Sequence, residues 1–279
     1  MSQVILPVKR DVIFKIYFAD ERNIEFLTDF LKATLPIPAD EYDELTIVDP
    51  HLIRDFSSDK LGIVDVKLKT VSGKTIHIDI QVAPLPYMKS RIAYYDAKMI
   101  SEQIGKSEDY QNIRQVISII ITEEEFITGS SNCHHRFTMY DSKNEIELTD
   151  IVEVHTLELC KVPPLLQEAL ESEDNHLYNW LRFIKAEEAE ELEAVAQRDP
   201  IIKKAVLKLM ELSEDERTRM LIEKREKERM DSSVREKWAK KEQAIEIAKK
   251  LLKRKRPIEE IIEDTGLTRK EIENLKDAD

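Results

Sequence analysis

The chain has 279 residues, 42% of them apolar and 35% charged, which is enough for one large domain, or a domain with a smaller appendage, around a sizeable core. Only 5 Gly and 10 Pro exclude a low-complexity chain and favour helices. The net charge of −13 excludes a broadly basic surface, so any contact with nucleic acid has to be local.

The cysteine content and the apolar runs indicate the compartment. Cys133 and Cys160 form no disulfide framework and fit a reducing environment. The N-terminal segment lacks the pattern of a secretory signal, and the longest apolar run, Val116 to Ile121, is too short to cross a bilayer. We therefore expect a soluble cytoplasmic protein with no membrane partner.

The first half of the chain changes between helical and strand-like patterns. Apolar residues at helical spacing predict helix at 9–35, with a charged break at 20–22, and again at 88–104. Patterns typical of strands occur at 61–84 (a hairpin), 116–122, 136–140 and 152–159. This order predicts a mixed α/β domain.

The second half is helical and charged. Residues 201–256 contain 19 Lys+Arg and 11 Asp+Glu, a local charge of +8. This segment either forms a long solvated helix with Glu–Lys pairs or binds phosphates. After Pro257, two short apolar segments joined by Thr265-Gly266 have the outline of a helix-turn-helix. We expect a domain at 1–185, a charged helical arm at 186–256 and a small helix-turn-helix-like unit at 257–279.

The hairpin brings polar side chains to one face of the sheet. A three-residue loop, Ser72 to Lys74, keeps both apolar sets on one face, because antiparallel partners whose numbers have an even sum point the same way. This register pairs Val66 with Ile80. The polar pairs that it predicts are Lys67 with Asp79 and Asp65 with Gln81.

Such a polar face suits metal-dependent hydrolysis. Two carboxylates held close together, Asp65 and Asp79, repel each other, and a hard divalent cation relieves the repulsion. Mg²⁺ lowers the pKa of a bound water, while Lys67 or Gln81 could orient that water or contact the scissile phosphate. An ordinary sheet with a polar outer face and a Lys67–Asp79 cross-strand pair is the alternative interpretation.

A carboxylate, a hairpin and then D-x-Q resemble the core pattern of the PD-(D/E)XK nuclease superfamily, in which Asp is followed by Asp/Glu-x-Lys on the next strand. More closely, the chain resembles the recombination-promoting nuclease or transposase-like branch. The matching pieces run in order from residue 10 to residue 275: RDVIFKIYF, LGIVDVKLKT…IHIDIQVAP, MKSRIAYYDAKMISEQIGKSEDY, QVISIIIT, TDIVEVHTLELCKV and AKKLLKRKRPIEEIIEDTGLTRKEIENL.

The resemblance implies a restriction-endonuclease-like α/β core, a central mixed sheet flanked by helices, with an α-helical C-terminal extension. It also implies DNA cleavage with Mg²⁺ or Mn²⁺. Asp65, Asp79 and the Ile80 carbonyl would be metal ligands, and Gln81 stands where the superfamily usually has lysine. Asp79 replaces the branch's more usual Glu, and its shorter arm would draw the cation closer to the strand. Lys67 would contact phosphate or stand in for the missing lysine.

Two further groups are candidates for the same site. Asp11 matches an acidic position of the first helix and would either complete the metal site or cap that helix. Arg91, Tyr94, Tyr95 and Lys98 follow at i, i+3, i+4 and i+7 on one helical face. There Arg91 and Lys98 would hold DNA phosphates, and the tyrosines would either shape the cleft or pack on the sheet.

Other chemistry lacks its usual signature. The set Cys133, His134, His135, His155 and Cys160 does not have the spacing of a zinc site and is interpreted as ordinary strand and loop residues. A Gly-rich phosphate loop, a GxSxG elbow and an HExxH motif do not occur in the sequence, which removes support for ATPase, serine hydrolase and zincin functions.

Two hypotheses follow. The first is a metal-dependent DNA endonuclease that hydrolyses phosphodiester bonds and, by the family resemblance, is linked to recombination or transposition; cutting both strands would favour a homodimer. The alternative is a DNA- or protein-binding module with a catalytically decayed core, in which Lys249 to Arg256 and the terminal helical pair bind. Metal dependence separates the two.

Overall fold

A six-stranded mixed sheet lies at the centre of the computed structural model, in which residues 5–48, 66–82, 86–105, 109–164 and 175–276 are described. The strand order is β1-β2-β3-β4-β6-β5, in which β3, β4 and β6 are parallel to one another and the other neighbours are antiparallel. The strands are β1 Thr46–Ile47, β2 Val66–Lys69, β3 Thr75–Gln81, β4 Val116–Thr122, β5 His134–Asp141 and β6 Ile146–Glu158.

The β-branched run at 116–122 forms the strand that the sequence predicts. This segment is β4, which pairs with β3 on one side and β6 on the other and is buried along its whole length. A parallel strand covered on both faces needs apolar residues at every position, as in VISIIIT, rather than alternation. The central parallel strands are therefore a rigid support for the side chains at their carboxyl ends.

The predicted register of the hairpin is wrong by two residues. Val66 lies opposite Ile78 and Lys67 opposite His77, so Lys67 does not face Asp79. The loop has three residues but comprises Val71 to Gly73, closed by the Thr70 N–H bonded to the Lys74 carbonyl at 3.1 Å. Its last residue needs a left-handed conformation, and Gly73 supplies it with φ 85°. The residue numbers of each pair still have an even sum, so the apolar residues of β2 and β3 still lie on one face of the sheet.

Nine α-helices surround or follow the sheet in the described part of the chain. They are α1 Asp11–Phe18, α2 Ile24–Thr34, α3 Met88–Ser101, α4 Asn175–Lys185, α5 Ala189–Ala196, α6 Pro200–Glu214, α7 Glu216–Lys253, α8 Ile258–Thr265 and α9 Arg269–Lys276. The predicted break at 20–22 is confirmed, because a single 3₁₀ turn at Glu21–Asn23 separates α1 from α2. None of the helices within these described ranges is long and apolar enough to cross a membrane.

The chain divides into two compact units, Met1–Thr218 and Arg219–Asp279. The first contains the sheet and an aromatic cluster between α1, α2 and α4 that includes Phe18, Phe30 and Trp180. In the second, the end of α7 packs with α8 and α9 around a small core of its own. The buried members of that core are Ala248, Ile261, Leu267 and Ile272.

A buried charge cluster joins β5 to β6. Glu153, 3% exposed, accepts hydrogen bonds from Arg136 Nε and Nη2 at 2.8 and 2.9 Å, and its Oε1 lies 2.6 Å from His155 Nε2. The other nitrogen of His155 is 2.7 Å from His134 Nε2. Burial acts to raise the pKa of Glu153, but the bonds from His155 and Arg136 outweigh it and hold this pKa at about 2.

This depressed pKa predicts a stability contribution that acid removes. Glu153 is charged in the folded state down to about pH 2, against 4.5 for its ordinary value, so its contribution is present above about pH 4.5 and is lost as pH falls towards 2. Glu153→Gln should therefore lower the free energy of unfolding near pH 6, by about 3 kcal/mol at most, and the deficit should shrink at pH 3.

Urea titrations of wild type and variant at both pH values measure the difference. Asp150→Asn, which removes an exposed carboxylate from the same strand, is the control and should stay within about 0.5 kcal/mol of wild type. A deficit that grows as the pH falls would contradict the prediction.

Candidate active site

Two polar side chains, Asp79 and Gln81, lie at the carboxyl end of β3. Asp79 is only 5% exposed, and its Oδ1 accepts a hydrogen bond of 2.7 Å from Gln81 Nε2. The two-residue period of a strand puts both side chains on one face, and α3 covers that face with Arg91 Nη2 3.5 Å from Asp79 Oδ2. Asp79 is thus a buried carboxylate with an amide donor on one oxygen and a cation near the other.

The backbone beside Asp79 offers a further oxygen. The Gln81 carbonyl accepts from the Glu123 N–H, on the β4 side of the strand. Because consecutive residues of a strand direct their peptide groups to opposite sides, the Ile80 carbonyl is directed towards β2. The described ladder between β2 and β3 ends at the pair Val66–Ile78, two residues before this carbonyl.

Lys67 lies opposite a residue two positions before the expected partner, Asp79. Its direct partner across the strands is His77, a buried residue two positions before Asp79. Lys67 is therefore a diagonal neighbour of Asp79 on the same face, at a separation that a lysine side chain can span. Asp65, the residue before β2, lies outside the described residues, and so does its predicted pairing with Gln81.

The remaining predicted residues lie at helix positions. Arg10 is the N-cap of α1 and Asp11 is its first residue, where Oδ1 accepts from the Val12 N–H at 2.8 Å. Arg91 lies over the Tyr95 ring, 5.7 Å from its centroid, which fixes the guanidinium beside Asp79. Lys98 is half-exposed and forms an ion pair of 3.8 Å with Glu102. The structure thus brings Arg91 to Asp79 and gives Lys98 a different partner.

The sequence interpretation missed a second buried carboxylate on this face. Asp96 of α3 is 4% exposed and accepts a hydrogen bond of 2.5 Å from Ser118 Oγ of β4. Burial raises the pKa of Asp96, while the Ser118 bond and the nearby His77 act to lower it. A detectable signal existed, because Asp96 falls in line with the buried residues Met88 and Met99 on the inner stripe of α3.

The donor chemistry fits a hard divalent cation. Mg²⁺ and Mn²⁺ favour oxygen ligands, which the Asp79 carboxylate and the Ile80 carbonyl provide on adjacent residues. Within the described ranges no group of three or more His, Cys, Asp or Glu side chains is placed to hold a metal ion. A complete site in this place therefore needs another oxygen ligand, and Asp65 is the carboxylate that the sequence motif supplies.

The mixed six-stranded sheet flanked by helices, with the D-x-Q sequence Asp79 to Gln81 at the carboxyl end of the central strand β3, is consistent with the restriction-endonuclease-like class of α/β folds. Comparison with family models makes the assignment specific: the model described as PD-(D/E)XK nuclease family transposase matches residues 8–238, and the chain belongs to this family. No curated protein and no solved structure matches the chain. The helical C-terminal part beyond residue 238 lies outside the family match.

Proposed function

We propose that the protein is a DNA endonuclease that hydrolyses phosphodiester bonds and depends on Mg²⁺ or Mn²⁺. The observation that carries this proposal is the buried Asp79 carboxylate at the end of β3, held between Gln81 and Arg91, in a chain of a nuclease family. Burial of a charged carboxylate costs free energy unless hydrogen-bond donors or a cation compensate for the lost water. Buried carboxylates with such partners are often found at functional sites.

The proposed metal ligands are Asp65, Asp79 and the Ile80 carbonyl, with Asp11 as a further acidic candidate. A divalent cation bound there lowers the pKa of a coordinated water and neutralises charge on the phosphoryl oxygens. Asp79 and Ile80 are adjacent on one rigid strand, so their two oxygens are fixed relative to each other before any ligand binds.

The other polar residues position water and phosphate. The Gln81 amide, bonded to Asp79 at 2.7 Å, stands in the place of the superfamily's lysine and can hold the attacking water through its carbonyl oxygen. Arg91 is 3.5 Å from Asp79 and donates in a planar fork that suits a phosphate, so it can turn from the carboxylate to the substrate. Lys67 and Lys98 are the proposed outer contacts to DNA phosphates.

The test is cleavage of supercoiled plasmid in Mg²⁺, Mn²⁺, Ca²⁺ or EDTA by wild type, Asp65→Ala and Asp79→Ala. Nicking in Mg²⁺ or Mn²⁺ that both substitutions abolish is the expected result. Cleavage that survives both substitutions would overturn the site assignment. Absence of cleavage, with DNA still retained in a gel in EDTA, would favour a DNA-binding module with a decayed core.

A further inference from the structure

The C-terminal unit carries an exposed basic cluster on the outer side of its longest helix. The residues of α7 that pack on the core of this unit are Ala244, Ile245, Ala248, Leu251 and Leu252. At 100° per residue, the opposite side of the same turns is formed by Lys249, Lys250, Lys253 and Arg254, all of them exposed. Arg254 directly follows Lys253, the last residue of α7, and together with Lys255 these residues form what we name the basic ridge.

The segment that contains the basic ridge is strongly positive, because residues 246–256 contain 6 Lys+Arg and a single acidic residue, Glu246. None of the five members of the basic ridge forms an ion pair with another residue in the described part of the chain, whereas the next residue, Arg256, is 3.4 Å from Glu260. Glu246 precedes Lys249 and Lys250 by three and four residues and lies on the same side of the helix, but it pairs with neither of them in the described part of the chain. In the middle of α7, by contrast, residues 223–238 contain 6 Lys+Arg and 5 Asp+Glu, a net charge of +1.

The backbone conformation at Lys255 is a second feature of the basic ridge, independent of its charge. The helix ends in a Schellman motif, in which the Arg256 N–H bonds to the Leu251 carbonyl at 3.2 Å and the Lys255 N–H to the Leu252 carbonyl at 2.9 Å. This motif needs a left-handed residue, and Lys255 occupies that position with φ 55°. Glycine would adopt this conformation without a Cβ clash, so a lysine there carries strain that the fold does not need.

The helix-turn-helix outline points to a different surface, on α9, whose charge is unfavourable for binding in a DNA groove. In that motif the second helix enters the major groove, between two rows of phosphates. The segment 258–276, which forms α8 and α9, contains 6 Asp+Glu and 3 Lys+Arg, a net charge of −3. One of the cations of α9, Arg269, is bonded to Glu259 at 2.5 Å. An acidic helix pair is repelled from the groove, whereas the basic ridge is attracted to phosphates.

We propose that the basic ridge is a DNA-binding site for the phosphate backbone, and that α9 does not read bases in the groove. The inference rests on the proposed function in taking DNA as the substrate. It adds a second contact, in a part of the chain that the family match does not cover, whose role is to hold the substrate without sequence preference.

The test compares two matched variants of the full chain. The ridge variant replaces Lys249, Lys250, Lys253 and Arg254 by Gln. The control replaces the exposed Lys224, Lys227, Lys237 and Arg235 of the same helix by Gln, so both lose three lysines and one arginine. Binding to a fluorescent duplex is followed by anisotropy in EDTA, where no metal-dependent cleavage occurs, between about 50 and 200 mM NaCl.

We expect the ridge variant to bind about 10- to 100-fold more weakly, and the slope of log K against log salt to fall by about 2 to 4, since each phosphate contact contributes about 0.9. The control should change affinity by less than about 3-fold. Equal losses in both variants would overturn the proposal, because bulk charge alone would then explain binding. A loss of similar size in Lys270→Gln, on the exposed side of α9, would overturn it in favour of groove reading.

Lys255→Gly provides a second variant that should keep the unit folded, because glycine adopts the left-handed conformation at this position. It should raise the thermal midpoint of the protein while weakening DNA binding, whereas a purely structural lysine would give no loss of affinity. Plasmid cleavage separates the two proposals. Ridge-dependent binding in EDTA without metal-dependent cleavage contradicts only the nuclease, and Asp79-dependent cleavage with ridge-independent binding contradicts only the basic ridge.

Discussion

Replacing Asp79 by asparagine is expected to reduce DNA cleavage by about 10³-fold, which corresponds to about 4 kcal/mol of lost transition-state stabilisation. Asparagine keeps the size of the side chain and an oxygen that can accept the hydrogen bond from Gln81 Nε2. It removes the negative charge that a divalent cation requires. The loss should therefore be chemical rather than structural, and circular dichroism and the free energy of unfolding should stay close to wild type.

The matched control is Asp79→Glu, which keeps the carboxylate on an arm one methylene longer. We expect Asp79→Glu to retain cleavage, with a changed preference between Mg²⁺ and Mn²⁺, because the oxygen moves away from the strand. Calorimetric titration with Mn²⁺ gives a readout that does not depend on turnover, and Asp79→Asn should bind the ion much more weakly. Cleavage by Asp79→Asn at the wild-type rate would contradict the assigned role.

The sequence predicted the central strands well because their residues leave little choice. The run at 116–122 is apolar and β-branched at nearly every position, which is typical of a strand between two parallel neighbours. The break before α2 was equally clear from charge. The two-residue strand β1 was not predicted, since Thr46–Ile47 has no periodicity of its own and pairs only because β2 presents an edge.

The candidate site was predicted in its components but not in its contacts. The alternation of apolar and polar residues was enough to place Asp79 and Gln81 on one face. This placement holds in the observed register, because that register differs from the predicted one by two residues, an even number. The position of the hairpin loop depends on which residue adopts the left-handed conformation. That residue is Gly73, which is the last residue of the loop. The contact of Arg91 with Asp79 needs the position of α3 over the sheet, a tertiary fact that the spacing of residues on one helix does not contain.

The stability of the first unit is expected to depend strongly on the aromatic cluster that joins α1, α2 and α4. Phe30 is fully buried, with ring centroids 5.8 Å from Phe18 and 6.1 Å from Trp180. Phe30→Ala should lower the free energy of unfolding by about 3–5 kcal/mol, because it removes a large buried side chain and leaves a cavity that its rigid neighbours cannot fill. Phe30→Leu, which keeps most of the volume, should cost less than half of that.

The protein contains its own reporter for this measurement. Trp180 lies in the cluster and is fully buried, whereas the other tryptophan, Trp238, is 70% exposed in the second unit. The red shift of Trp180 emission in urea therefore reports the unfolding of the first unit, and Trp238 gives a nearly constant background.

Leu207→Ala, at an exposed position on α6, is the control and should change the unfolding free energy by less than about 0.5 kcal/mol. Equal effects of Phe30→Ala and Leu207→Ala would mean that the cluster does not stabilise the unit. The site on β3 would then need another source of rigidity, because α1 packs against that strand from within the same cluster.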